Sequence, residues 1–142
     1  MKNDLDDDEY VITIPRSVTI NLFFVLFMTL WSAARAWTSI ANWEILTQFK
    51  ANPFYIFATG IIWFILGVTL ILLIFKGYRH TLAFGLIVSL VYALWYWFDR
   101  LVMQATPAPN IAFSITGTII TLVIFNTILF WPSSQAFFKE TQ

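Results

Sequence analysis

Four long apolar runs, at residues 17–39, 53–75, 81–103 and 111–131, leave this chain few ways to fold. Each is close to the roughly 20 residues that a helix needs to cross the hydrocarbon of a bilayer. None alternates polar and apolar residues as a barrel strand does, and a bilayer admits only helices or closed barrels. The links between the runs, residues 40–52, 76–80 and 104–110, are short. The expected fold is an all-α integral membrane protein: a four-transmembrane-helix bundle running up-down-up-down, with both termini on one side. With 59% of residues hydrophobic and 11% charged, little is left over for a separate soluble domain. The chain divides into an acidic tail at 1–15, one membrane domain at 16–132 and a short polar tail at 133–142.

Local signals mark the ends of the helices. Asp4, Asp6, Asp7, Asp8 and Glu9 repel one another and keep the first segment solvated and mostly disordered. This cluster lacks the glycine and the distal glutamate of a calcium loop. Pro15 stands near the start of the first helix. Ala34-Arg35-Ala36 resembles a signal-peptidase site, but the segment before the run is acidic rather than basic, which predicts an uncleaved anchor. Trp43, Ile45, Leu46 and Phe49 recur at helical spacing, so residues 40–52 hold either an interfacial helical turn or an extension of the first helix. Asn52-Pro53 reads as an N-cap followed by a proline in the first turn, and Lys76-Gly77 as a C-terminal cation and the glycine beyond the cap. The tight link at 76–80 makes the second and third helices antiparallel neighbours. Residues 106–110 form a rigid turn with Asn110 as N-cap, and Pro132 stops the fourth helix. Beyond it, Phe137 and Phe138 are expected to dip back to the interface.

Orientation follows the Lys and Arg bias. Lys2, Arg16, Lys76, Arg79 and Lys139 fall on the side of the termini, against Lys50 and Arg100 on the other, with Arg35 near that other end. The termini, and both tails, are therefore expected in the cytoplasm, N-in and C-in. A bacterial inner membrane is the simplest residence.

Lipid is as apolar as leucine, so small residues must guide helix packing. Gly85, Ser89 and Ala93 form the best such stripe, on the third helix. Ser32 with Ala36, Gly60 with Gly67, and Gly117 with Thr121 are weaker ones. Depth gives two further expectations. Arg35 lies 19 residues after Arg16, and Asp99 lies 19 residues after His80. Both then sit about 28 Å above the inner boundary, which predicts an Arg35–Asp99 ion pair between the first and third helices. The alternative is that both snorkel separately into headgroups. Asn21 and Asn126 also share a depth, and an interhelical amide contact competes with bonding of each to its own backbone.

Asp99 ends the stretch Tyr92-Ala93-Leu94-Trp95-Tyr96-Trp97-Phe98, which sets five aromatic rings beside an acid. Most of the remaining tryptophans, Trp31, Trp37 and Trp43, fall on the same outer side. An aromatic belt at the interface accounts for them. So does a pocket walled by Trp31, Arg35, Tyr92, Trp95, Tyr96 and Asp99, of a size and character for a lipid headgroup, a quinone, a pigment or an organic cation.

Catalysis finds no support. The sequence has no cysteine and one histidine, which excludes thiol chemistry and paired-histidine haem. It has no catalytic triad pattern, no metal cluster and no phosphate loop, so neither an enzyme nor a cofactor protein is expected. Zero net charge gives no reason to expect nucleic acid. No acid lies deep in the bilayer, where a coupled transporter needs one. The expected role is that of a non-catalytic structural or accessory subunit in a larger membrane protein complex, with the bilayer, other membrane subunits or copies of itself as partners. The alternative is a small-ligand or lipid binder or transporter that uses the outer aromatic pocket for a lipid, quinone or pigment. A cavity between the first and third helices would favour the second; a flat aromatic surface against another chain would favour the first.

Overall fold

The structure, a computed structural model, describes residues 14–103 and 110–140. The acidic cluster at residues 4–9 and most of the turn at 106–110 lie outside the described residues. The apolar runs become α1 (Arg16–Ala41), α3 (Pro53–Phe75), α4 (Thr81–Phe98) with a π-helical turn (Asp99–Met103) continuing it, and α5 (Ile111–Leu129). Two short helices, α2 (Trp43–Gln48) and α6 (Pro132–Glu140), complete the described chain. Four of these segments, Arg16–Ala41, Pro53–Phe75, Thr81–Met103 and Ile111–Leu129, are long and apolar enough to cross a membrane. Large apolar side chains such as Phe23, Phe27, Phe54, Ile87 and Leu94 stand exposed around them. Surfaces of that kind belong in lipid, and the chain is a multi-pass membrane protein.

The local chemistry explains the boundaries. The Asn52 side chain accepts from the Tyr55 backbone N–H at 3.1 Å, with Pro53 in the first turn of α3. At its other end Gly77 takes a left-handed φ of 64°. The Tyr78 N–H then reaches the Leu73 carbonyl at 3.4 Å and the Gly77 N–H the Ile74 carbonyl at 3.1 Å, the paired bonds of a Schellman ending. Buried Thr81 ties the start of α4 back to the Leu73 carbonyl at 3.2 Å. Asn110 departs from expectation. Its φ of 60° is left-handed and its side chain makes no capping bond, because a side-chain N-cap needs an extended backbone.

In the bundle α1 packs on α3 and α5, and α4 packs on α3 and α5. The closest approach is between α1 and α3. A Cβ at Gly60 would lie 2.9 Å from the Ala36 backbone nitrogen and 3.0 Å from the Ser32 carbonyl oxygen, and one at Gly67 would overlap the Thr29 side chain. Two weaker stripes, Ser32 with Ala36 and Gly60 with Gly67, therefore face each other. Of the stripe expected to dominate, Gly85 fits against Leu129 of α5 and Ser89 bonds to Asn126, while Ala93 borders a cavity. Gly117 faces open space, with nothing within 4 Å of the position of a Cβ. The reason is that α5 buries only Phe125 and Leu129, near its C-terminal end, and leaves the rest of its length loosely held.

Two further expectations are corrected. Asn126 does not meet Asn21. Its amide donates to the Leu122 carbonyl at 2.8 Å and to the Ser89 hydroxyl at 3.2 Å, so α5 presents it to α4. Asn21 is 3% exposed and its carbonyl oxygen has no hydrogen-bond partner. Residues 133–142 are not simply a polar tail. Pro132 opens α6, a helix of nine residues, and Phe137 and Phe138 join Val18, Leu70, Ile74 and Leu129 in the core. The hydroxyls of Ser133, Ser17 and Ser134 follow one another at 2.8 Å, and Ser134 lies 3.0 Å from the Ile128 carbonyl. Both phenylalanines turn inward because an apolar ring gains more from this core than from an interface.

Candidate functional site

At the opposite end of the bundle from α6, the last two turns of α1 bring Arg35 to the end of α4. There the helix widens into its π turn, a local feature frequent at functional positions. Asp99 is its first residue, and the Asp99 N–H is shared between the Trp95 and Tyr96 carbonyls. Arg35 Nη2 donates to Asp99 Oδ1 at 3.0 Å, and the two side chains are 26% and 12% exposed. They meet across helices and do not snorkel apart. The bond is single-pronged: Arg35 Nε is buried with no hydrogen-bond partner.

Aromatic side chains surround the pair. The Arg35 guanidinium lies over the Trp95 ring, 5.0 Å from its centroid, a cation–π arrangement. Trp95 Nε1 donates to Tyr55 Oη at 3.2 Å, which links α4 to the start of α3. Trp63 meets Tyr92 edge-on at 4.8 Å and Trp95 at 5.3 Å, and Tyr92 and Trp95 are 5.4 Å apart. These rings hold the charged pair in a low-dielectric wall, where an ion pair is stronger and an unpaired charge costs more.

Trp31, Arg35, Tyr92, Trp95, Tyr96 and Asp99 all line one cavity of about 200 Å³, together with Ser32, Gly60 and Trp63. Next to it lies a larger chamber of about 510 Å³, between α1, α3, α4 and the diverging half of α5. Ser32, Trp63, Tyr92 and Tyr96 border both. The walls of the larger chamber are mainly apolar, from Phe24, Phe27, Met28, Val88, Phe113 and Leu122 among others. Three of its hydroxyls are turned back on their own helices. Thr29 donates to the Val25 carbonyl at 2.7 Å, Ser32 to the Met28 carbonyl at 2.9 Å and Thr118 to the Ser114 carbonyl at 2.8 Å. They offer methyl groups and carbon rather than free donors.

Trp31 and Trp37 stand out from the bundle, while Trp63 is buried. Tyr55 and Trp63 belong to the site and are not among the six residues that the sequence singles out. A signal for them exists. Tyr55 lies at the same end as Arg35 and Asp99, and Tyr55, Thr59 and Trp63 recur every four residues on one face of α3. Among the described residues, no group of three His, Asp or Glu side chains is placed to hold a metal ion. The chain matches no protein-family model, no curated protein and no solved structure.

Proposed function

We propose that this protein is a membrane-embedded binding protein that holds a small amphiphile within its helices and performs no covalent chemistry on it. One observation carries this reading: an apolar chamber of about 510 Å³ adjoins a smaller cavity of about 200 Å³ that ends at Arg35 and Asp99. Ligand sites are concave, mostly apolar and marked by a few placed polar groups, and these volumes suit a drug-sized molecule. The spans run up-down-up-down with both termini in the cytoplasm, on the Lys and Arg distribution. The charged pair then lies near the outer leaflet, and a bacterial inner membrane is the working compartment.

A second reading, an accessory subunit of a membrane complex, is favoured by α5. Phe113 is 80% exposed, and Ile115, Ile119, Val123 and Ile124 are also open. Such a face suits a partner helix as well as it suits lipid. One experiment separates the two. The tagged protein is extracted in mild detergent, sized on a native gel and analysed by mass spectrometry. A single chain or homo-oligomer carrying a reproducible small molecule supports the binding protein. Migration within a larger complex at fixed ratio, with no small molecule retained, overturns it and supports the subunit.

A further inference from the structure

The polar end of the cavity specifies what kind of head it takes. Arg35 and Asp99 offset each other at 3.0 Å, so the pair at the end of the smaller cavity carries no net charge. A carboxylate or phosphate head entering it would be a third charge taken out of water with no partner left, and an ammonium head likewise. Among the polar atoms still unspent are two tyrosine hydroxyl donors. Arg35 Nε has no acceptor but is closed off from the cavity surface, so it is not among the donors open to a ligand. Tyr92 and Tyr96 border both chambers, and among the described residues neither hydroxyl donates to a protein acceptor; Tyr96 Oη only accepts from Arg100, at 3.4 Å. A hydroxyl donor on an apolar cavity wall without an acceptor is a cost that a ligand oxygen removes. Beyond these donors the larger chamber is lined mainly by hydrocarbon, with the Ser114 and Thr121 hydroxyls and the back-bonded Thr29, Ser32 and Thr118 set among it.

Resting on the binding reading above, we infer that the ligand is an uncharged amphiphile whose head presents carbonyl oxygens, an ester or a quinone, with one hydrocarbon chain. The head accepts from the Tyr92 and Tyr96 hydroxyls. The chain lies in the larger chamber and reaches it from the bilayer past Gly117, where the wall is open.

The test uses the full-length protein in nanodiscs of uncharged phospholipid. It is titrated with three amphiphiles that share one brominated long chain and differ in the head: a methyl ester, a carboxylate and a quaternary ammonium. Bromine quenches tryptophan, and Trp63 is in the wall of both chambers. The methyl ester should quench saturably, at an affinity about tenfold or more above the two charged heads. Gly117→Phe, which fills the chamber from a position with open space around it, should abolish the saturable part. Asp99→Asn leaves Arg35 uncompensated and should turn the preference towards the carboxylate by about tenfold. Tyr92→Phe removes one donor without changing charge and should weaken the ester about three- to tenfold. Equal affinity for all three heads, still blocked by Gly117→Phe, overturns the head assignment and leaves the binding protein standing. Quenching that never saturates, or that ignores Gly117→Phe, overturns the binding protein itself and the head with it. If Asp99→Asn fails to fold, Tyr92→Phe decides: an unchanged ester affinity refutes the donor assignment.

Discussion

Neutralising Arg35 and Asp99 one at a time and then together should show that each single loss costs more than the double loss. The two side chains meet through one bond at 3.0 Å and keep 26% and 12% exposure, so they are shielded but not sealed. Breaking a fully buried pair from one side costs about 3–5 kcal/mol, and surface pairs contribute about 0–1 kcal/mol. This pair should fall between the two limits, and the two sides should differ. Arg35→Gln strands a short carboxylate that is 9% exposed as a residue and has no stem with which to reach water, so roughly 2–4 kcal/mol is expected. Asp99→Asn leaves a long arginine that keeps its place over the Trp95 ring and can snorkel, and the asparagine oxygen can still accept, so roughly 1–2 kcal/mol is expected. The double variant removes both charges and should lose only about 1 kcal/mol, because no uncompensated charge remains. The assay is equilibrium unfolding in mixed micelles of mild detergent and SDS, read by circular dichroism as a double-mutant cycle. A double variant whose loss equals the sum of the two singles would refute the coupling. Equal losses for the singles would refute the account of burial that separates them.

Three other perturbations probe the framework. Gly60→Ala should destabilise by about 1–2 kcal/mol despite a better helix propensity, since the new Cβ meets Ala36 and Ser32 backbone atoms at 2.9–3.0 Å; Gly117→Ala meets nothing and should stabilise by roughly 0.5–1 kcal/mol, both read in the same unfolding assay. Phe138→Ala should cost about 3 kcal/mol, because its ring is 2% exposed in the core and the hole cannot collapse around a helix held by Ser134; a thermal melt in detergent indistinguishable from the parent would show that α6 does not close the bundle. The sequence has no cysteine, so single cysteines report topology cleanly: Lys50→Cys should react with an impermeant maleimide in intact cells, and Lys139→Cys only after lysis, whereas the opposite pattern reverses the assigned orientation.

The spans are legible in the sequence because span length is fixed by the bilayer and not by tertiary structure, and α3 follows residues 53–75 to the residue. The Arg35–Asp99 contact is legible for a related reason. Helical rise converts residue spacing into depth, and an intramembrane charge has few partners to choose from at a given depth. Depth says nothing about azimuth, and that is where Asn21 and Asn126 part. Spacing puts both at one level, but Asn126 points at Ser89 and bonds there instead of to Asn21. Azimuth also decides among the small-residue stripes. Gly60 and Gly117 are alike in sequence, yet one seats a neighbouring backbone and the other faces a void. Residues 132–140 escape a hydropathy reading because their anchoring rests on two rings and three serines, too little to raise a window average.

The looseness of α5 and the tightness of α1 on α3 belong together. Gly60 and Gly67 let those two helices close to backbone contact, which makes one rigid pair. Helix α4 is then fastened to that pair at both ends, by Thr81 to the Leu73 carbonyl at one and by Asp99 to Arg35 at the other. Among the described residues, α5 is fastened to its neighbours in its second half, through Asn126 to Ser89, Phe125 against Phe24 and Leu129 against Gly85. A helix pinned at one end and free at the other leaves a wedge, and the chamber of about 510 Å³ is that wedge. A large side chain at Gly117 would have taken up part of it. Because glycine stands there instead, that volume stays open, and it adjoins the cavity that ends at the Arg35–Asp99 pair.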